Sequence, residues 1–281
     1  KLCNPGDAAL CGGHCARSGQ AGGLMAAVAV DYRVQGEGPP LYMVHGIGSR
    51  KITWDGLMPH ITPYFTCVSY DLRGHGRSPV PAPPYSLDDL IEDLEALRVK
   101  LGHERIHVVG HSLGGMIGPA YARAHPNRVS SLGLLSTAAG RSDDERDKLI
   151  ALIGKMEREG VAPVLDTLLD RWYTDEFLRV RPDLVEQRKQ QVIDTPTDVF
   201  LSVFRIYATT EMGPWLHEIQ TPCLVLTGEL DGGCSPRLNR FIAGELGQSE
   251  LVVLDGLKHS ILMEAPDRVA LPLKTFLLKH R

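Results

Sequence analysis

A chain of 281 residues, 43% hydrophobic and 23% charged, can bury a real core as one large domain or as a domain with a sub-domain. Its net charge of −4 and pI of about 6.3 leave no global basic field, so nucleic acid is not an expected partner. No apolar run reaches the roughly 18–20 residues of a membrane span, and Cys67, Cys223 and Cys234 are scattered singly, so a reduced, cytoplasmic protein without membrane contact is expected.

Residues 1–24 open with Lys1 and are rich in Gly, Ala and Cys without periodicity; they are expected to be a flexible leader or vector-derived extension outside the fold. Cys11, His14 and Cys15 lie within this stretch, but no second ligand pair follows at zinc spacing, so no metal site is expected. The pattern then predicts a half-buried strand over 26–34, ending at Gly36 and Gly38. A short apolar strand over 41–45 feeds the glycine turn His45-Gly46-Ile47-Gly48, and a strand over 66–70 runs into the loop from Asp71 to Ser78. Ser86 is a good N-cap, with Asp88 and Asp89 in the first turn and Leu87, Leu90, Ile91, Leu94 and Leu97 at helical spacing. A buried strand over 106–109, a small-residue helix to about His125 and a strand over 129–135 follow.

The alternation breaks over 141–215, where amphipathic helical patterns occupy 143–159, 161–172, 183–193 and 197–208 without a strand between them. Such an insertion is expected to form an all-helical cap over one end of the sheet. The core is then 25–140 and 216–281. Strands over 223–227 and 251–254 resume the alternation, and a closing helix follows Pro266, with Pro272 expected to kink or interrupt it. Strands alternating with helices imply an α/β fold with a mostly parallel central sheet flanked by helices.

Gly110-His111-Ser112-Leu113-Gly114 stands between a strand and a helix. A serine there sits on a sharp turn, and side chains at the flanking glycine positions would collide with neighbouring backbone. A serine hydroxyl needs a general base. His259 follows the last strand and precedes the last helix, which places it at the same sheet edge. His45 and His75 sit in glycine turns that their hydrogen bonds would support, His111 is expected to point away from the serine, and the remaining histidines read as surface residues. Asp231, at the end of the preceding strand, is the preferred acid; Glu229 is a turn former or the acid itself. The backbone N–H groups of Ile47 and Leu113 are the expected oxyanion hole.

Taken together, His45-Gly46-Ile47-Gly48, the segment from Asp71 to Ser78, the serine pentapeptide, Gly228-Glu229-Leu230-Asp231 and His259 resemble the α/β-hydrolase superfamily from about residue 27 to the C-terminus. Within it, Arg171-Trp172-Tyr173-Thr174 with Phe177 and Pro182, and the segment from Lys258 to Pro266, are similar to the 3-oxoadipate enol-lactonase-like hydrolases. That group often carries Leu and Met around the nucleophile where this chain has His111 and Leu113. The resemblance implies a Ser112–Asp231–His259 triad acting on an ester or lactone, an enol-lactone acid being the candidate, with no cofactor and a small-molecule substrate. Arg171 and Arg205 are candidates to pair with a substrate carboxylate, and Trp172, Phe200, Phe204, Tyr207 and Trp215 to line an apolar pocket. The alternatives are a carbon–carbon bond hydrolase of ring-cleavage products, a cofactor-free perhydrolase, and a small-molecule receptor on a hydrolase fold.

Overall fold

The computed structural model describes residues 25–281; the expectations for 1–24, including the Cys11–Cys15 stretch, lie outside the described residues. Seven strands are present: β1 (Tyr32–Gln35), β2 (Pro40–Val44), β3 (Thr66–Tyr70), β4 (Ile106–His111), β5 (Val129–Leu135), β6 (Cys223–Gly228) and β7 (Ser249–Leu254). They form one sheet in the order β1-β3-β2-β4-β5-β6-β7, and every pairing is parallel except β1 with β3. The helices are α1 (Met58–Ile61), α2 (Leu87–Lys100), α3 (Gly114–Ala124), α4 (Asp143–Glu159), α5 (Ala162–Trp172), α6 (Asp175–Val180), α7 (Pro182–Ile193), α8 (Thr197–Thr209), α9 (Pro236–Glu245), α10 (Ile261–Glu264) and α11 (Pro266–Lys279). None among the described residues is long and apolar enough to cross a membrane.

Period-two alternation divides the core between the two faces of the sheet. Tyr42 and Val44 join Val68, Tyr70, Val108 and Leu134 against α2, α3 and α9. Leu41 and Met43 join Val109, Leu224 and Leu226 against α1, α10 and α11. Both faces are therefore apolar, as a parallel sheet requires. The five helices between β5 and β6 enclose an apolar cluster of their own, with Met156, Leu165, Tyr173 and Phe200 at its centre. α6 adds a helix to the four read from the periodicity; Thr174 caps it, its hydroxyl accepting from the Phe177 N–H at 3.2 Å.

Local chemistry explains the elements that follow the pattern. The Ser86 hydroxyl accepts from the Asp89 N–H at 3.1 Å while the Asp89 carboxylate accepts from the Ser86 N–H at 2.8 Å, which satisfies two otherwise orphaned donors at the start of α2. Two expectations need correction. The first strand begins only at Tyr32, because residues before it lack a neighbouring strand edge; the Met25 and Val28 N–H groups instead donate to the Asp89 and Asp93 carboxylates, each at 2.8 Å. Pro272, expected to kink or interrupt α11, does not interrupt it. The carbonyl that loses its partner belongs to exposed Arg268, where water can replace it, while Val269, Leu273, Phe276 and Leu277 hold the other face on the sheet.

Candidate active site

The turn from β4 into α3 places Ser112 at φ +57°, a left-handed conformation that costs energy for any residue bearing a Cβ. Its neighbours make the turn possible. A Cβ at Gly110 would lie 2.0 Å from the Gly114 carbonyl oxygen, and one at Gly114 would lie 2.0 Å from that of Val44. The Ser112 N–H donates to the Leu135 carbonyl at 2.9 Å, and the Thr137 hydroxyl donates to the Ser112 carbonyl at 2.9 Å, so the strained backbone is pinned from β5.

Asp231 follows β6 and His259 follows β7. The two loops approach closely at Gly228, where a Cβ would come within 2.3 Å of the Leu257 and Lys258 carbonyl oxygens. His259 Nδ1 and Asp231 Oδ2 lie 2.7 Å apart, and Asp231 Oδ1 accepts the Gly233 and Cys234 N–H groups at 2.9 and 2.8 Å. Burial alone would depress the imidazole pKa, but the Asp231 charge and hydrogen bond outweigh it and raise His259 above its ordinary range. Burial would likewise raise Asp231; the imidazolium and the two N–H donors outweigh it and keep the carboxylate ionised. Ser112, Asp231 and His259 line one cavity of about 100 Å³. Among the described residues the Ser112 hydroxyl makes no hydrogen bond.

Ile47 lines the same cavity and Leu113 follows Ser112 at the start of α3; neither N–H donates to a protein acceptor among the described residues. His45 and His75 support turns, as expected. His45 Nε2 accepts the Leu72 N–H at 2.9 Å, and His75 Nε2 accepts the Gly48 N–H at 3.1 Å. Burial pushes them down to about 3 and about 4, so both stay neutral. Glu229 is a turn former, its carboxylate accepting the Gly256 N–H at 2.9 Å.

His111 departs from expectation. It lines the cavity beside Ser112, its Nε2 lies 3.0 Å from the His259 carbonyl oxygen, and the two rings stand 4.9 Å apart. Burial, and His259 beside it, push it down to about 3, so it is a neutral donor to the loop that carries His259. His107 is also not a surface residue: it is buried and within 2.8 Å of the Ser131 hydroxyl.

Of the seven residues expected to meet substrate, the structure brings five to the cavity. Arg171 and Trp172 line it, together with Phe200, Phe204 and Tyr207. The segment that carries them docks on the His259 loop: the Trp172 carbonyl accepts the Ser260 N–H at 2.9 Å and the Thr174 hydroxyl donates to Glu264 at 2.6 Å. Arg205 is instead on the exposed face of α8, paired with Glu157. Trp215 packs on the core under the Arg123 guanidinium, 5.2 Å from its ring. Helical spacing puts neither on the inner face.

The residue missed is Arg188 on α7. It is 8% exposed, lines the cavity, and has no carboxylate partner among the described residues. Its guanidinium donates to the Ile47 carbonyl at 2.8 Å and to the Gly48 carbonyl, and lies 4.9 Å from the Trp172 ring centre. Burial lowers its pKa from the usual arginine value. In sequence it sits among exposed polar residues of α7, and nothing in that pattern separates it from a surface arginine. Among the described residues the one grouping of donors able to hold a cation is Asp231, Cys234 and His259. There the carboxylate oxygens are already engaged by two N–H groups and the imidazole, which suits an acid–base pair better than a metal site.

Comparison with known proteins agrees with this fold. Residues 39–266 match the family model described as the alpha/beta hydrolase fold, and the chain belongs to that family. It is 27% identical to 3-oxoadipate enol-lactonase 2 of Acinetobacter baylyi, over 85% of this chain and 89% of that protein. The enol-lactonase of Burkholderia xenovorans LB400 superposes with a TM-score of 0.84 at 26% identity, covering 90% of this chain and 99% of its own. A thermophilic esterase from Thermogutta terrifontis gives 0.81 at 26% identity, over 90% and 94%. A hydrolase activity follows from the family and these relatives.

Proposed function

We propose that the protein hydrolyses a carboxylic ester or lactone of a small organic acid, of the enol-lactone type, through an acyl-enzyme on Ser112. The observation that carries this reading is the 2.7 Å contact of His259 with Asp231 in one cavity with a serine held at φ +57°. In this reading His259 takes the Ser112 proton as Oγ attacks the carbonyl carbon. The Ile47 and Leu113 N–H groups receive the oxyanion, each donor being worth roughly 3–4 kcal/mol in the transition state. The imidazolium, stabilised by Asp231, protonates the departing oxygen. Water then attacks the acyl carbon as His259 takes its proton; the Ser112 Oγ–acyl bond breaks, His259 returns the proton to Oγ, and the carboxylic acid leaves. No cofactor is required.

Support for an acidic substrate comes from Arg188, a buried cation that meets only backbone carbonyls and an aromatic face beside the reacting serine. Arg171 at the cavity wall and the apolar surface of Trp172 are consistent with it. The helices α4–α8 act as a cap in this reading, over a core made of the remaining chain. The test is steady-state turnover of an enol-lactone acid beside an uncharged ester of similar size, with Ser112→Ala as control. The reading expects multiple turnover of the lactone, preferred over the ester and abolished in the variant. Preference for the uncharged ester would remove the acid specificity, and no turnover of either would remove the hydrolytic assignment to esters.

A further inference from the structure

We propose that a second anion subsite, formed by Arg141, Lys155 and Arg171 between α4, α5 and the Asp231 loop, receives a distal carboxylate, so that the substrate is a dianion. The inference rests on the ester or lactone reading above and deepens it. A second cavity of about 560 Å³ adjoins the catalytic one and shares Leu149, Leu152, Leu168, Arg171 and Gly233 with it. Its lining holds four cations, Arg141, Lys148, Lys155 and Arg171, against the single acid Glu145, in a chain whose net charge is −4. Such an excess gathers anions.

Two of these charges are already matched. Lys148 meets Asp144 at 2.6 Å, and Glu145 accepts the Ser142 N–H at 2.8 Å and pairs with Arg237. Among the described residues, no carboxylate forms an ion pair with the side chains of Arg141, Lys155 or Arg171; Glu211 meets Arg141 only at its backbone N–H, at 3.4 Å. Arg141 is the informative one. It is 6% exposed, its Nη1 donates to the Tyr207 carbonyl at 3.0 Å, and its guanidinium carbon lies 4.3 Å from the Tyr207 ring centre. Its Nη2 is buried without a partner. Withdrawing a guanidinium from water and leaving a nitrogen unmatched is unfavourable unless something completes it. A carboxylate in the adjoining cavity would do so, and the tyrosine face holds the guanidinium in place for it.

A ligand that spans the two cavities is shaped by the residues they share. Leu149, Leu152 and Leu168 form the shared wall, so the segment joining the two charges is apolar. One carboxylate faces Arg188 near Ser112; the other, beyond a short methylene spacer, reaches Arg141 and Lys155, with Arg171 between.

The test uses two esters alike except that one ends in a distal carboxylate and the other in its methyl ester. The ratio of their kcat/KM values is internal to each variant, so a smaller folded fraction cancels. The wild type is expected to favour the carboxylate about tenfold, less at high salt. Arg141→Gln should lower that ratio about tenfold and Lys155→Glu about threefold. A wild-type ratio near one, or a ratio unmoved by both variants, overturns the proposal. If neither ester turns over, calorimetric titration with adipate and with monomethyl adipate separates the two readings. Tighter adipate binding that Arg141→Gln weakens supports the subsite while the ester reading falls; equal binding of both, or no binding, overturns the subsite as well.

Discussion

Replacing Arg188 by glutamine separates two roles that the structure gives to one side chain. The guanidinium ties α7 to the Ile47 and Gly48 carbonyls, and it places an unmatched charge in the cavity that holds Ser112. The glutamine amide can replace one of the two hydrogen bonds and none of the charge. Loss of one charge-assisted bond in the loop that carries the Ile47 N–H is worth about 1.5–3 kcal/mol, and it should lower kcat/KM about tenfold or more for every substrate. A substrate carboxylate facing Arg188 adds a second loss, because removing one partner of a buried pair costs about 3–5 kcal/mol. The enol-lactone acid should therefore lose a further factor of about 100 or more relative to an uncharged ester. The assay is kcat/KM for both substrates with wild type and Arg188→Gln at constant ionic strength. An equal fall for both would refute the reasoning and leave Arg188 as a strut for the Ile47–Gly48 turn.

Other consequences can be checked alongside. Because Asp231 raises the pKa of His259 and only the neutral imidazole acts as base, kcat/KM should rise with pH along a limb centred above about 6.5; Asp231→Asn should move that limb down and lower kcat by about 10⁴. A limb at or below the ordinary imidazole value would contradict the pairing. Gly114→Ala places a methyl 2.0 Å from the Val44 carbonyl oxygen, with backbone on both sides of the clash, so a loss of about 3 kcal/mol or more should appear in chemical denaturation; a change below about 0.5 kcal/mol would show that the turn is not held as described. Arg205→Ala removes an exposed pair with Glu157 outside the cavity, and should leave kcat/KM for the lactone within twofold and stability within about 0.5 kcal/mol. A larger kinetic loss would restore Arg205 to the site.

The amino-acid sequence by itself determined the features written as local backbone chemistry. Glycines at 110 and 114 are needed because a Cβ there meets backbone 2.0 Å away, and that requirement is visible in five consecutive residues. Apolar runs with turn residues between them placed the parallel strands, and their order along the chain put Ser112, Asp231 and His259 at one sheet edge. The serine capping of α2 was legible for the same reason, since both partners lie within one helical turn. Only the tertiary structure decided which side chains of the helices between β5 and β6 line the cavity with Ser112. Helical periodicity separates an apolar face from a polar one, but it does not say which polar residue an adjacent helix will cover. Arg188 and Arg205 look alike in sequence; α7 packs so that one is buried against the Ile47–Gly48 carbonyls, while α8 leaves the other in water beside Glu157. The same holds for Arg141, whose burial against Tyr207 arises from packing of residues 66 positions apart. Burial of a charge depends on contacts distant in sequence, and those contacts exist only once the chain has folded.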